Sequence, residues 1–327
     1  MPHLLIGMPE GGGTLENAAQ AKNGPKPMIS VRHLRKVYRI GDEKVVALAD
    51  INLEILKGQV VCIVGTSGSG KSTLLNQLAG LEKPTRGSVY IGKTNISRLS
   101  ENQLAIFRQR FLGFVFQSYN LLPTMTALEN VSLPMIFKGI SKSKRNKASM
   151  AMLAAVGLKK RAHHRPTQMS GGQQQRVGIA RAFVSRPKVV FADEPTGNLD
   201  TRTTIDVMRM MVRFARRYQQ TLIIVTHDPE IADYADRVVT LIDGAITSDV
   251  THTPVYDGTA DADSLPPESV LPEEPSLPEG PIPAVEEELP LPPDDEPLIL
   301  PDDGDAPAAL PPAPAADPQE EKGELPI

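Results

Sequence analysis

The 327-residue sequence predicts an α/β fold: a mainly parallel sheet, a helical insert, and a disordered C-terminal tail. Three observations carry this expectation. Short apolar runs of strand length alternate with helix-length patterns after Gly58, as βαβ units require. A glycine-rich loop joins the first of those runs to a helix. The composition then changes abruptly near residue 250.

From Thr251 to Ile327, 20 acidic residues face one lysine, Lys322, and 19 of the 30 prolines fall there. The net charge of −4 therefore conceals +15 on residues 1–250 and −19 beyond. Proline resists helix and sheet, and dense acidity repels itself, so such a segment does not bury enough apolar surface to offset its ordering entropy. The expected organisation is a flexible leader over 1–27, a folded domain over 28–250, and a disordered tail over 251–327 with polyproline II character. Cys62, the sole cysteine, excludes an internal disulfide and reads as a buried, inert thiol. No apolar run approaches the ~18 residues that span a bilayer. The opening MPHLLIGMPEGGG lacks the basic and apolar regions of a signal peptide, so a cytoplasmic location is expected.

The elements follow in order. MISVRHLRKVYRI and KVVALADINLEIL alternate apolar and polar residues as half-buried strands do, with Gly41-Asp42 as the turn. QVVCIVG is nearly all apolar, as a parallel strand covered on both faces must be. KSTLLNQLAGL has helical spacing, with Leu74, Leu78 and Leu81 on one face, and GSVYIG is a short strand. Ser100 with Gln103 forms a capping box for the next helix. Helical patterns continue through Met125–Ile140 and Ser143–Val156, so an inserted helical subdomain is expected over about 98–170. Then come strand KVVFAD, helix TRTTIDVMRMMVRFARRY, strand TLIIVTHD, a short helix, and strand RVVTLIDG. No internal repeat stands out.

The loop between QVVCIVG and its helix reads Gly65, Thr66, Ser67, Gly68, Ser69, Gly70, Lys71, Ser72, followed by Thr73. This is the G-x-x-x-x-G-K-[ST] phosphate-binding pattern in its required strand–helix context. Glycines let successive backbone N–H groups converge on phosphate oxygens, and the helix N-terminus adds partial positive charge. Lys71 suits the β- and γ-phosphates of a nucleotide, and Ser72 suits Mg²⁺. VVFADE delivers Asp193 and Glu194 at a strand end, where one carboxylate can face the metal and the other the attacking water.

Ser170, Gly171, Gly172 and Gln173, about twenty residues before Asp193, complete a set that resembles the ATP-binding cassette (ABC) family over nearly all of 28–248. The resemblance implies a P-loop nucleotide-binding domain: a RecA-like parallel sheet, an antiparallel β subdomain and an inserted helical subdomain. It further implies an ATPase that binds ATP and Mg²⁺. Two copies of the chain pack head to tail, so that Ser170–Gln173 of one meets the γ-phosphate held by the other. In the same correspondence Gln117 sits near the metal with Ser72 and Asp193, and Asp200 closes a loop that crosses the dimer interface. His227 senses the γ-phosphate, and Tyr38 stacks on adenine. Met169 stands where leucine is usual, a volume-conserving change.

The triple glutamine Gln173–Gln175 and Gly197-Asn198 resemble the branch of lipoprotein-releasing, macrolide-export and cell-division ATPases. Its partner is an integral-membrane permease with few helices and a large extracytoplasmic domain, which holds the ATPase on the inner face of the membrane. An amino-acid-type importer shares much of the pattern and remains the alternative. A non-transport ABC ATPase is a further one, although a single cassette without coiled-coil heptads argues against it. No nucleic-acid partner is expected. Leu121, Leu122 and Met125 suit either the core or a groove for the permease.

Overall fold

The computed structural model describes residues 27–259 and 265–278. Residues 1–26, 260–264 and 279–327 lie outside the described part, and with them the expected leader and most of the expected disordered tail.

Two sheets share the domain. The first is antiparallel, in the order β2-β1-β4-β5, with β1 Pro27–Ile40, β2 Glu43–Leu56, β4 Arg86–Ile91 and β5 Thr94–Asn95. The second runs β10-β9-β3-β8-β7-β6, with β3 Val60–Val64, β6 Leu112–Phe116, β7 Val189–Asp193, β8 Thr221–Thr226, β9 Arg237–Ile242 and β10 Ala245–Thr251. All neighbours in this sheet are parallel except β10, which is antiparallel to β9.

Burial explains why the central strands are apolar between their end residues. Side chains alternate across a strand, and each face of this sheet meets its own core. On β3, Val60 and Cys62 enter one core while Val61 and Ile63 enter the other. The same division sends Leu222 and Ile224 of β8 one way and Ile223 and Val225 the other. The second core is closed by the antiparallel sheet and by α1 Lys71–Leu78 and α2 Glu101–Phe111. The first is closed by α3 Ala127–Ile136, α4 Lys142–Ala155, α5 Gly171–Phe183 and α6 Thr201–Arg217, with the short α7 Pro229–Ala232.

Three expectations need correction. The helical unit does not begin near residue 98. Leu104, Phe107 and Phe111 of α2 pack in the second core, and β6 pairs with β7 inside the parallel sheet. Residues 101–116 therefore belong with the sheets, and the helices that follow Gln117 within the expected insert are α3 and α4. Helix α1 ends at Leu78, and Leu81 is exposed because Gly80 (φ 61°) turns the chain away.

The third correction concerns the chain beyond Val250. β10 runs to Thr251, the His252 N–H donates to the Asp236 carbonyl at 2.7 Å, and the Val255 N–H donates to that of Asp233 at 2.8 Å. Residues 265–278 then lie against the body, with Leu265 and Leu271 buried in the first core and Leu277 packed on the second. The composition that argued for disorder missed these leucines, which supply apolar anchors between the prolines.

Candidate functional site

The phosphate-binding loop sits where β3 leaves the sheet and α1 begins. A Cβ on Gly65 would lie 2.2 Å from the Leu241 carbonyl oxygen, and one on Gly70 (φ 99°) would lie 2.5 Å from that of Ala47. Neighbouring backbone thus demands glycine at both ends of the loop, independently of any ligand. Lys71 is buried, and its Nζ donates to the Thr66 carbonyl at 2.8 Å, curling the loop over the ammonium. Ser69 anchors the loop to the sheet through its carbonyl, which accepts from Gly244 N–H at 3.0 Å.

At the ends of β7 and β8, further groups converge on this loop. Ser72 Oγ lies 3.4 Å from Asp193 Oδ1. Burial, and secondly the neighbouring Glu194 charge, raise the Asp193 pKa, while Ser72 and Lys71 oppose the shift. Glu194 adopts left-handed backbone (φ 44°), unusual for a side chain with a Cβ. Its carboxylate is gripped twice: Thr226 Oγ1 donates to Oε2 at 3.0 Å, and His227 Nδ1 is 2.9 Å from Oε1.

Gln117 follows β6 and lies over Gly197, whose added Cβ would meet its side-chain nitrogen at 2.7 Å. Asn198 Nδ2 donates to the Gln117 carbonyl at 3.1 Å, so the glycine–asparagine pair seats the glutamine. The next turn holds Tyr119 (φ 60°) and Asn120 (φ 46°) in left-handed conformations. Arg181 of α5 bonds both of their carbonyls, and the buried Asn130 fastens residues 122–126 to α3.

Tyr38 on β1 donates its hydroxyl to Glu82 at 2.6 Å, and Lys36 Nζ lies 5.0 Å from its ring centroid. Burial first, and then Glu82, raise the phenol pKa, with Thr73 opposing.

Ser170, Gly171, Gly172 and Gln173 form a second group at the N-terminus of α5. Ser170 caps the helix by accepting from Gln173 N–H at 3.4 Å, and Gln173 Oε1 accepts from Ser170 N–H at 3.2 Å. Gly171 leaves room for the Tyr119 hydroxyl and Gly172 for the Thr203 methyl. Asp200 caps α6 by accepting from Thr203 N–H at 3.0 Å and Thr203 Oγ1 at 2.7 Å, which lowers its pKa. Among the described residues no hydrogen bond joins Ser170–Gln173 to Gly65–Thr73. Helix α5 is tied instead to the residue after Glu194: the buried Gln175 donates its side-chain amide to the Pro195 carbonyl.

Thr226, Arg181, Asn130 and Glu82 were not singled out from the sequence. Single polar residues in helices, strands or turns carry no spacing signal; only the repeated glutamines hinted at Gln175.

A family model described as ABC transporter matches residues 48–197. An uncharacterised ABC transporter ATP-binding protein of Thermotoga maritima is 46% identical over 72% of this chain and 100% of its own length. The chain belongs to the ABC transporter family. The lipoprotein-releasing system ATP-binding protein LolD of Geobacter metallireducens is 45% identical over 68% of this chain and 99% of its own. The macrolide export ATP-binding/permease protein MacB of Bradyrhizobium diazoefficiens is 46% identical, but only 34% of it is covered. Among solved structures, the cassette MJ0796 in a dimeric post-hydrolysis state bound to ADP and Pi matches with a TM-score of 0.65. It is 40% identical, over 69% of this chain and 99% of that one. The cassette is the ATP-binding, ATP-hydrolysing component of an ABC transporter. No helix among the described residues is long and apolar enough to cross a membrane.

Proposed function

We propose that this cassette hydrolyses ATP between two head-to-tail copies and drives a separate membrane permease that holds it at the inner face of the membrane. The observation that carries the reading is the grip on Glu194, whose carboxylate is fixed by Thr226 and His227 beside Asp193 and the phosphate-binding loop. A carboxylate so held suits general-base or water-positioning work. His227 orients it and meets the γ-phosphate. Lys71 and the backbone of Gly65–Thr73 bind the phosphates, Tyr38 offers its ring to adenine, and Ser170–Gln173 with Asp200 serve the partner's nucleotide.

Mg²⁺ fits the oxygen donors present. Ser72 Oγ and Asp193 Oδ1 converge, and the raised Asp193 pKa marks a carboxylate whose charge lacks full compensation. An ion held by these groups would take its remaining ligands from phosphates and water. Ser72, Asp193 and Gln117 would hold it, and it would neutralise charge on the phosphates. Likeness to a lipoprotein-releasing system ATP-binding protein and to a macrolide export ATP-binding/permease protein supports a permease partner; that this permease has few helices and a large extracytoplasmic domain is what the resemblance to that branch implies.

Glu194→Gln tests the reading. ATP binding is expected to persist while hydrolysis falls by about 10²-fold or more, the scale of a lost general base. A variant that hydrolyses ATP at the parental rate removes Glu194 from that role. Purification from native membranes then identifies the permease; a many-helix partner would favour an importer.

A further inference from the structure

Residues 265–282 read LPPESV, LPEEPS, LPEGPI: three hexads, each opening Leu-Pro, the first two with glutamate in fourth place. Polyproline II and 3₁₀ turns both have three residues per turn, so positions six apart share one face. The structure uses that face. Leu265 and Leu271 are buried in the first core, and Leu277 packs on the second, where its Cδ1 lies 2.8 Å from the site of a Cβ on Gly92. Glu268 pairs with Arg186 and Glu274 with Lys188, each at 2.7 Å.

The receiving surface has the features of a recognition groove. Arg186 and Lys188 lie just before β7, at the end of that strand opposite Asp193. Tyr218 donates its hydroxyl to the Pro266 carbonyl at 2.9 Å, and the Arg186 guanidinium lies 6.0 Å from the same ring. Arg186 itself has left-handed backbone (φ 50°), a strain that persists only where the surroundings fix it. Three leucines and two ion pairs work against the ordering entropy of fourteen residues.

We propose that this base of the cassette is a docking groove for acidic Leu-Pro hexads, filled in cis by the chain's own residues 265–278. The groove reads leucine through apolar sockets and glutamate through Arg186 and Lys188.

The test uses the full chain carrying Leu265→Asp and Leu271→Asp, with ATP binding as the check on folding, and a fluorescent peptide of residues 265–278. The unseated chain is expected to bind the peptide one to one, and the parental chain about tenfold more weakly or worse because its groove is filled. A peptide with Glu268→Lys and Glu274→Lys should not bind, and salt should weaken the parental peptide. An ATP-binding variant that ignores the peptide, or takes the charge-reversed one equally well, overturns the proposal. Should the double variant fail to bind ATP, a charge swap decides. Arg186→Glu should abolish amide-exchange protection at 265–278, and Arg186→Glu with Glu268→Arg should restore it; equal protection in both variants refutes the groove.

Discussion

The carboxylate of Glu194 sits on a backbone that disfavours it, held by two side chains from the following strand and loop. That cost is intelligible if the orientation of the carboxylate matters more than local comfort. Thr226→Val keeps the shape and removes the donor. The variant is expected to lose about 1.5–3 kcal/mol in urea unfolding, the range for a hydrogen bond to a charged group, and to hydrolyse ATP more slowly at unchanged affinity. A parental rate would show that His227 alone suffices. The acids themselves could be read from the sequence because a strand ending in Asp-Glu after a phosphate-binding loop is a pattern. Thr226 could not, since a threonine ending a β-strand is ordinary. Tyr38 lies on β1 as the strand pattern predicts, but its hydroxyl anchor to Glu82, 44 residues away, carries no sequence signal.

Among the helices, α2, α3 and α5 begin with the same capping box, at Ser100/Gln103, Thr126/Glu129 and Ser170/Gln173. Only the first shows in spacing alone; the third coincides with the family signature, so its serine and glutamine carry a second pattern over the capping one. The capping of α5 by Ser170 is therefore to be separated from its proposed contact with the partner's nucleotide. Ser100→Ala, Thr126→Ala and Ser170→Ala should each cost about 1 kcal/mol of unfolding free energy. Only Ser170→Ala should also slow ATP hydrolysis by about tenfold or more, as loss of a phosphate contact does. Equal activity in all three would leave Ser170 a cap and nothing else. β10 escaped the sequence reading because most of its residues are exposed and no alternation marks it. β6 was submerged in a helical stretch, being only five residues long between two helices.

For the whole molecule, the two-core division was legible in the unbroken apolar strands, whereas the path of the chain after Val250 was not. Cys62 offers a probe of that architecture. Burial, and secondly Glu194 and Asp228, push its pKa up to about 12, so almost no thiolate exists near neutral pH. A maleimide should label it only as fast as the parallel sheet opens, and ATP should slow the labelling further by stabilising the closed form. Rapid labelling without denaturant would mean that β3 is not central. The seating of residues 265–278 also bears on how the protein is handled. A version trimmed at Val250, where the cassette motifs are already complete, would uncover the leucine sockets beside Arg186 and Lys188. Such a bare apolar patch rimmed by positive charge favours self-association. Clumping of the shortened chain would then report a missing cover, not a faulty engine.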